Sequence, residues 1–333
     1  MQVRLRGLSI LESYRGQMKK DTISLEMDLD ELDRMLIREL EVDARQSTRD
    51  LGRKLDVSAT TISNRLRRMS DKGIIAFAAV TDPGTMGFHV QVFIGLTVGP
   101  GKSAEVTQHL IPCRSIQWLT ASTGRYDMVA YALFRSFKEM LDWMTNDLGT
   151  MGAVINADEM IVLRRVRSLY GHSNAECQGP GEVTGPCLDE LDLNLIGELE
   201  LNPRESIGVL AKKIGASPWV TSRKLKMLQA EKITQIVSII DPRARGVLVR
   251  TLTLVRTHLD AIVPVTQTLA ANPRIVYVGV IAGPYNIIVA AYFRNVDEMS
   301  HFLSHELGGL PGVTGYETMV MIGSQYHDYH LKL

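Results

Sequence analysis

The chain has 333 residues, 45% of them hydrophobic, and its 37 Lys+Arg balance 37 Asp+Glu, which excludes a disordered or fibrous chain and leaves material for more than one core. No stretch approaches the roughly 18 consecutive apolar residues of a membrane span, and the N-terminal residues lack the apolar core of a secretory signal, so a cytoplasmic protein with no membrane partner is expected. Cys113, Cys177 and Cys187 sit at no metal-binding spacing and read as free thiols of a reducing compartment.

Residues 1–27 mix Arg4, Arg6, Arg15, Lys19 and Lys20 with scattered apolar side chains and read as an N-terminal extension. From there Asp30 is a candidate N-cap with Asp33 at the third helical position, and Leu32, Leu36, Ile37 and Leu40 follow at helical spacing. Ser47 caps a second short helix carrying Leu51 and Leu55. Ser58 caps a third carrying Ile62, Leu66 and Met69, after the tight connection Asp56-Val57. Three short helices, the last two joined by a minimal turn and running into Ile74-Ile75, form a helix-turn-helix pattern over 28–75.

Past residue 75 the periodicity changes. Strands are expected near 75–81, 88–98, 115–123, 127–134 and 154–164, with helices near 102–111 and 137–147. With the first strand taken as a linker, the order over 76–170 is β-α-β-β-α-β, the ferredoxin-like arrangement. A Gly- and Pro-containing linker at 171–186 follows.

Shifted by 159 positions, the chain then matches itself without a gap. Leu29-Asp30-Glu31-Leu32-Asp33 falls on Leu188-Asp189-Glu190-Leu191-Asp192, Asp82-Pro83 on Asp241-Pro242, and Gly124-Arg125-Tyr126-Asp127 on Gly283-Pro284-Tyr285-Asn286. A repeat unit of this length is a domain or a close pair of domains, not a solenoid turn. A second helix-turn-helix is expected at 187–234 and a second ferredoxin-like domain at 235–333. The fold class is therefore α+β, with two tandem copies of a helix-turn-helix followed by a ferredoxin-like βαββαβ domain.

Both helix-turn-helix segments are basic. Seven cationic residues face three acidic ones between Arg49 and Lys72, and six face one between Lys212 and Lys232, which suits a phosphate array. With Ile62 as the buried direction, Thr60, Thr61, Asn64, Arg67 and Arg68 project to the opposite side of the third helix, with Arg65 at the border and Ser58 at the cap. Asn64 suits an adenine edge and the arginines suit phosphates. In the second copy Ser217, Trp219, Arg223, Lys224 and Lys226 are the corresponding candidates. Phosphate contacts persist there, whereas the polar base-reading residues do not.

The other recurring feature is a turn between two strands, Thr123-Gly124-Arg125-Tyr126-Asp127, with its twin at Gly283, Tyr285 and Asn286. Glycine lets backbone amides approach a ligand and an acid receives an ammonium; a hairpin that needs these residues for its shape is the alternative.

In the order and spacing of these motifs the chain resembles the Lrp/AsnC (feast/famine) transcriptional regulators, twice over, across about residues 28–168 and 187–329. The resemblance implies that each helix-turn-helix is of the winged type, in an α+β fold of two tandem copies of a winged-type helix-turn-helix domain followed by a ferredoxin-like βαββαβ domain, with double-stranded DNA and a small-molecule effector, often an amino acid, as partners. It places the effector near the glycine turn, hence at Thr123, Gly124, Tyr126, Asp127, Gly283, Tyr285 and Asn286. It also implies dimerisation by sheet packing and larger assemblies; here the fusion gives an intramolecular pseudo-dimer that oligomerises further. Asn286 in place of Asp127 removes an anionic partner from the second pocket.

No cofactor and no enzymatic activity are expected. Sirohaem decarboxylases share this two-part architecture, and Tyr285-Asn286 is similar to their strand-start motif, but Gly283-Pro284 stand where that family is expected to carry histidine. A sensing protein with decayed DNA-binding helices is a third reading, opposed by the intact basic helix of the first copy. His301, His305 and Glu306, with His327 and His330 in the tail, lack the cysteines or carboxylates to complete a metal shell. No Ser-His-Asp or Cys-His arrangement and no phosphate-binding glycine loop is present.

Overall fold

Asp30 sets the start of the first helix. Its carboxylate accepts from the Asp33 N–H at 2.9 Å, and Asp33 accepts in return from the Asp30 N–H, forming a capping box ahead of α1 (Glu31–Val42). Ser47 caps α2 (Thr48–Lys54) and Ser58 caps α3 (Ala59–Asp71), each accepting from the N–H three residues on. The turn between α2 and α3 passes through Asp56 in the left-handed region, φ 55°, where the second half has Gly215 at φ 69°. Gly52 makes that turn as tight as it is, because a Cβ there would stand 2.6 Å from the Val57 carbonyl oxygen.

The computed structural model describes residues 29–168, 175–176, 188–327 and 331. The N-terminal extension, Cys177, Cys187, His330 and most of the 171–186 linker lie outside the described residues. After α3 come β1 (Ile75–Thr81), β2 (Val90–Val98), α4 (Ser103–Leu110), β3 (Ile116–Thr123), β4 (Met128–Phe134), α5 (Phe137–Trp143) with a π turn (Met144–Leu148), β5 (Val154–Ser168) and β6 (Ala175–Glu176). The same order then recurs in α6 (Glu190–Leu201), α7 (Ile207–Lys213), α8 (Pro218–Ala230), β7 (Thr234–Ile240), β8 (Val249–Thr257), α9 (Ile262–Ala271), β9 (Ile275–Ala282), β10 (Ile287–Phe293), α10 (Val296–His301) with a π turn (Phe302–Leu307), and β11 (Val313–His327). No helix among the described residues is long and apolar enough to cross a membrane.

β1 departs from the sequence expectation, which made it a linker beside a winged-type helix-turn-helix. No turn follows β1 to fold back a wing hairpin; the chain instead passes through Asp82 and Pro83 into a short 3-10 turn. β1 pairs antiparallel with β7, with Ala78 opposite Val237 at the centre of the register. Since 237 − 78 = 159, the repeat offset, a pseudo-twofold axis passes through this pair. Bonds around it are reciprocal: Asp82 N–H donates to Ile233 O at 2.8 Å and Asp241 N–H to Ile74 O at 2.9 Å. Arg45 donates to Pro203 O at 3.2 Å and Glu205 O at 2.8 Å, and Arg204 to Gln46 O at 2.7 Å. Ile240 packs in the core of α1–α3, whereas Ala79 packs in that of α6–α8. β1 and β7 thus belong with the helical layer and tie its two halves together.

The remaining strands form a closed ring. The order β2-β4-β3-β11-β8-β10-β9-β5 is completed by pairing of β5 with β2, so each four-stranded sheet joins the other at both edges. Ala175–Glu176, within the expected linker, add to β5. Helices α4 and α5 cover one sheet and α9 and α10 the other, over separate outer cores. Between the sheets lies one shared core of Phe93, Tyr126, Val129, Met160 and Val162 against Leu252, Leu254, Ile281, Tyr285, Ile288 and Met319. Each large apolar side chain buried there contributes about 1.5–3 kcal/mol, before the entropy of ordering it.

Candidate DNA-binding face and effector turns

The core of the first helix-turn-helix takes Leu36, Leu40, Leu51, Ile62, Leu66 and Met69 inward. Thr60, Asn64 and Arg67 are left exposed on α3, together with Ser63, which the sequence reading omitted although it falls between Thr60 and Arg67 on the same stripe. Arg67 donates to Asn64 Oδ1 at 3.3 Å, so the amide and guanidinium stand side by side. Ser58 and half-buried Thr61 are engaged in the cap, their hydroxyls 2.8 Å apart.

Arg65 and Arg68 do something else. Arg65 donates to Asp30 at 2.6 Å and to wholly buried Asp33 at 2.8 Å, and Arg68 reaches the other oxygen of Asp33. Of the expected cationic face, Arg65 is half-buried, while Arg67 and Arg68 stay exposed, the Arg68 guanidinium shared with a carboxylate that burial would otherwise strand. The bonds to Asp30 and then Asp33 raise the Arg65 pKa further. Lys224 on α8 repeats the arrangement, donating to Asp189 at 2.7 Å and Asp192 at 2.9 Å; burial works against its charge, but these carboxylates outweigh it. Ser217 caps α8, while Trp219, Arg223 and Lys226 are exposed.

At the strand turns, Gly124 has φ 107° and Gly283 φ 140°, conformations that L side chains rarely adopt. Asp127 Oδ2 accepts from the Val98 N–H at 2.8 Å, and Asn286 Oδ1 accepts from the Thr257 N–H at 2.7 Å. One side-chain oxygen in each turn thus pins the end of a neighbouring strand, β2 or β8, and Asn286 makes that bond as Asp127 does. Only the second atom differs in charge. Thr123, Gly124 and Asp127 are exposed, Gly283 is exposed and Asn286 is half-buried.

Tyr126 and Tyr285 are buried in the shared core, so they floor the turns instead of lining an open surface. The Tyr126 hydroxyl donates to Asp158 Oδ2 at 2.9 Å and accepts from Arg125 at 3.0 Å. Burial, then Asp158, push its pKa up to about 12 against the pull of Arg125. Arg125 also donates to Glu317 at 3.1 Å and lies 5.8 Å from the Tyr285 ring, over which Arg256 stands at 4.9 Å. The Tyr285 hydroxyl, then Arg125, hold the Glu317 carboxyl below the usual range. This charged cluster was not read from the sequence; its signal was Asp158 and Glu317, 159 positions apart.

His301 and His305 stack with ring centroids 4.8 Å apart, and Glu306 is taken by Arg274 at 2.5 Å. Among the described residues no group of three or more His, Cys, Asp or Glu is placed to hold a metal. The Cys113 Sγ donates to His109 O at 3.4 Å.

Residues 29–70 match the AsnC-type helix-turn-helix domain and residues 250–330 the Lrp/AsnC ligand binding domain. The chain is 33% identical over 137 residues to the HTH-type transcriptional regulator Ptr1 of Methanocaldococcus jannaschii, a match covering 41% of this chain and 93% of that protein. It belongs to the Lrp/AsnC family. The HTH-type transcriptional regulator FL11 of Pyrococcus abyssi is 29% identical over 141 residues, covering 42% of this chain and 93% of the relative. A helix-turn-helix and a ligand binding domain of this family make the chain a DNA-binding transcriptional regulator with a small-molecule effector. Among solved structures, the siroheme decarboxylase NirDL superposes with a TM-score of 0.62 at 13% identity, covering 91% of this chain and 94% of that one; at this identity the likeness is one of fold alone.

Proposed function

We propose that this chain is a duplicated Lrp/AsnC unit acting as an intramolecular pseudo-dimer, a sequence-specific regulator in which an amino acid or related metabolite at the glycine turns alters how two recognition helices meet DNA. The observation that carries this reading is the reciprocal pairing about Ala78 and Val237, which couples two helix-turn-helix units through one rigid strand pair. Relatives that span about two fifths of this chain support the duplication. Thr60, Asn64 and Arg67 would meet base edges and phosphates, while Trp219, Arg223 and Lys226 would serve the second helix. Thr123, Gly124 and Asp127 form the more polar effector turn, with Gly283 and Asn286 its neutral twin; Tyr126 and Tyr285 transmit occupancy to the shared core. An effector that binds one arrangement more tightly shifts the population towards it. Further homo-oligomerisation of such pseudo-dimers belongs to this reading, as does a non-enzymatic role.

The test is titration of the purified chain against its own promoter fragment at two salt concentrations, with Asn64→Ala/Arg67→Ala alongside. Tight binding that weakens with salt and is lost in the variant supports the reading. Unchanged binding in the variant overturns the assignment of α3.

One observation favours a second reading. The fold likeness to a siroheme decarboxylase runs over nearly the whole chain, which raises tetrapyrrole binding as an alternative. Gly283-Pro284, where histidine would be expected, opposes it. A saturable shift of the Soret band on titrating an iron porphyrin with the chain would revive it, and an unshifted band would dismiss it.

A further inference from the structure

The helical layer is symmetric in backbone and asymmetric in chemistry. About the Ala78 and Val237 pair, α3 and α8 occupy equivalent places, each capped by serine and each tied to its first helix by a cation, Arg65 or Lys224. Their outward stripes differ at matched positions: Thr60 corresponds to Trp219, Asn64 to Arg223 and Arg67 to Lys226. Trp219 is 69% exposed, and the Arg223 guanidinium stands 5.6 Å from its ring centroid. The α8 stripe thus presents a flat apolar surface followed along the helix by two cations, where α3 presents a hydroxyl, an amide and a guanidinium.

Resting on the proposal that α3 and α8 are both recognition helices, we infer that this protein reads a non-palindromic operator, in which α3 selects a half-site by hydrogen bonds to a purine edge and α8 selects one by packing Trp219 on a thymine methyl. An amide such as Asn64 pairs bidentately with adenine, whereas an apolar surface in the major groove finds only one apolar feature there, the 5-methyl of thymine. Arg223 over the indole steadies the ring, and with Lys226 one turn further along α8 it borders the ring with positive charge on its C-terminal side. That charge argues for duplex DNA as the occupant over an apolar surface of another protein, because Arg223 stands over the ring and Lys212 and Lys226 are exposed in the same helix-turn-helix. Backbone symmetry holds the two helices in dyad-related positions while their side chains ask for different bases.

The test is selection of bound duplexes from a randomised pool with the full chain, followed by titration of the selected duplex carrying uracil in place of each thymine in turn. Two unlike half-sites are expected. Replacing one thymine in the α8 half-site should weaken binding about three- to fivefold, the effect of losing one buried methyl. Trp219→Ala should remove that thymine-over-uracil preference and leave the other half-site unchanged; Asn64→Ala should do the reverse, relaxing an adenine preference by about tenfold or more. Two identical half-sites, or a Trp219→Ala chain that still prefers thymine, would overturn the inference with the regulator reading intact. Loss of self-association in Trp219→Ala with unaltered DNA selection would assign the ring to a second copy and also overturn it. Failure of any duplex to be enriched, with the chain folded by circular dichroism, would remove the underlying reading as well.

Discussion

Arg65 donates to Asp33 at 2.8 Å, and the carboxylate it meets has no solvent exposure. Lys224 and Asp192 repeat the bond at 2.9 Å in the second half. A cation on the third helix of each helix-turn-helix therefore locks that helix to the cap of the first, and stability separates from DNA contact along one helix.

Arg65→Ala should lower stability by about 1–3 kcal/mol, the range for a hydrogen bond to a charged group, and stay below the larger cost of a stranded buried charge because Arg68 still meets Asp33. Arg67→Ala, on the side of α3 turned away from the core residues Ile62, Leu66 and Met69, should leave stability within about 0.5 kcal/mol and weaken DNA binding. Urea unfolding and a DNA titration on both variants check the separation; equal destabilisation would contradict it.

Tyr126 packs directly over Gly95, where an added Cβ would stand 2.4 Å from the ring. Gly95→Ala should therefore destabilise the chain by about 1–3 kcal/mol through overpacking, measured as a fall in the urea midpoint. The matched position in the second half is Leu254, buried in the same shared core, so the requirement for glycine falls on the first half.

The raised pKa of Tyr126, about 12, is visible directly. Ultraviolet titration of the folded chain should show a tyrosine ionising near that value, and Tyr126→Phe should abolish it. The folded state then holds a proton that the unfolded state has released, so this group contributes stability below pH ~10 that is lost as pH rises through the folded value.

Glu317 titrates with the opposite sign. Its carboxyl is held below the usual range by Tyr285 and then Arg125, so the stability it contributes is present above its unfolded pKa of 4.5 and is lost as pH falls through the lowered folded value. Glu317→Gln should flatten the acid limb of a stability profile between about pH 5 and 3, and Arg125→Gln should flatten it partly.

Closure of the strand ring predicts that the two halves do not need a covalent connection once folded. Cleavage at a protease site inserted near residue 180 should leave the halves co-eluting at the size of the intact chain. Separation into two species without denaturant would contradict the pairings of β3 with β11 and of β5 with β9.

The helices and their caps were legible because their causes are local: Asp30, Ser47 and Ser58 stand within three residues of the N–H groups they accept from. The strands were equally plain, and their βαββαβ order appears in both halves. What stayed hidden depends on partners far along the chain. β1 looked like a linker because its pairing residues lie on β7, and ring closure needs β5, β9 and β11 to meet across the repeat. Projection at 100° per residue placed Arg68 outward correctly at its Cα, but a flexible guanidinium reaches back past its own face to Asp33. Tyr126 looked available beside an exposed glycine, yet in the turn before β4 it packs into the core between the sheets with Val129, a partner choice that local spacing does not show.

The axis through Ala78 and Val237 has one more implication. In an assembly of two identical chains, any side chain near such an axis must tolerate its own duplicate, so a lone arginine beside it would confront a second guanidinium. Here each side is encoded separately. Arg125 faces a half that carries Pro284 instead, and its single charge is left free to hold Glu317. A position near the axis can therefore change on one side only, and the molecule acquires a left and a right that no self-paired dimer possesses.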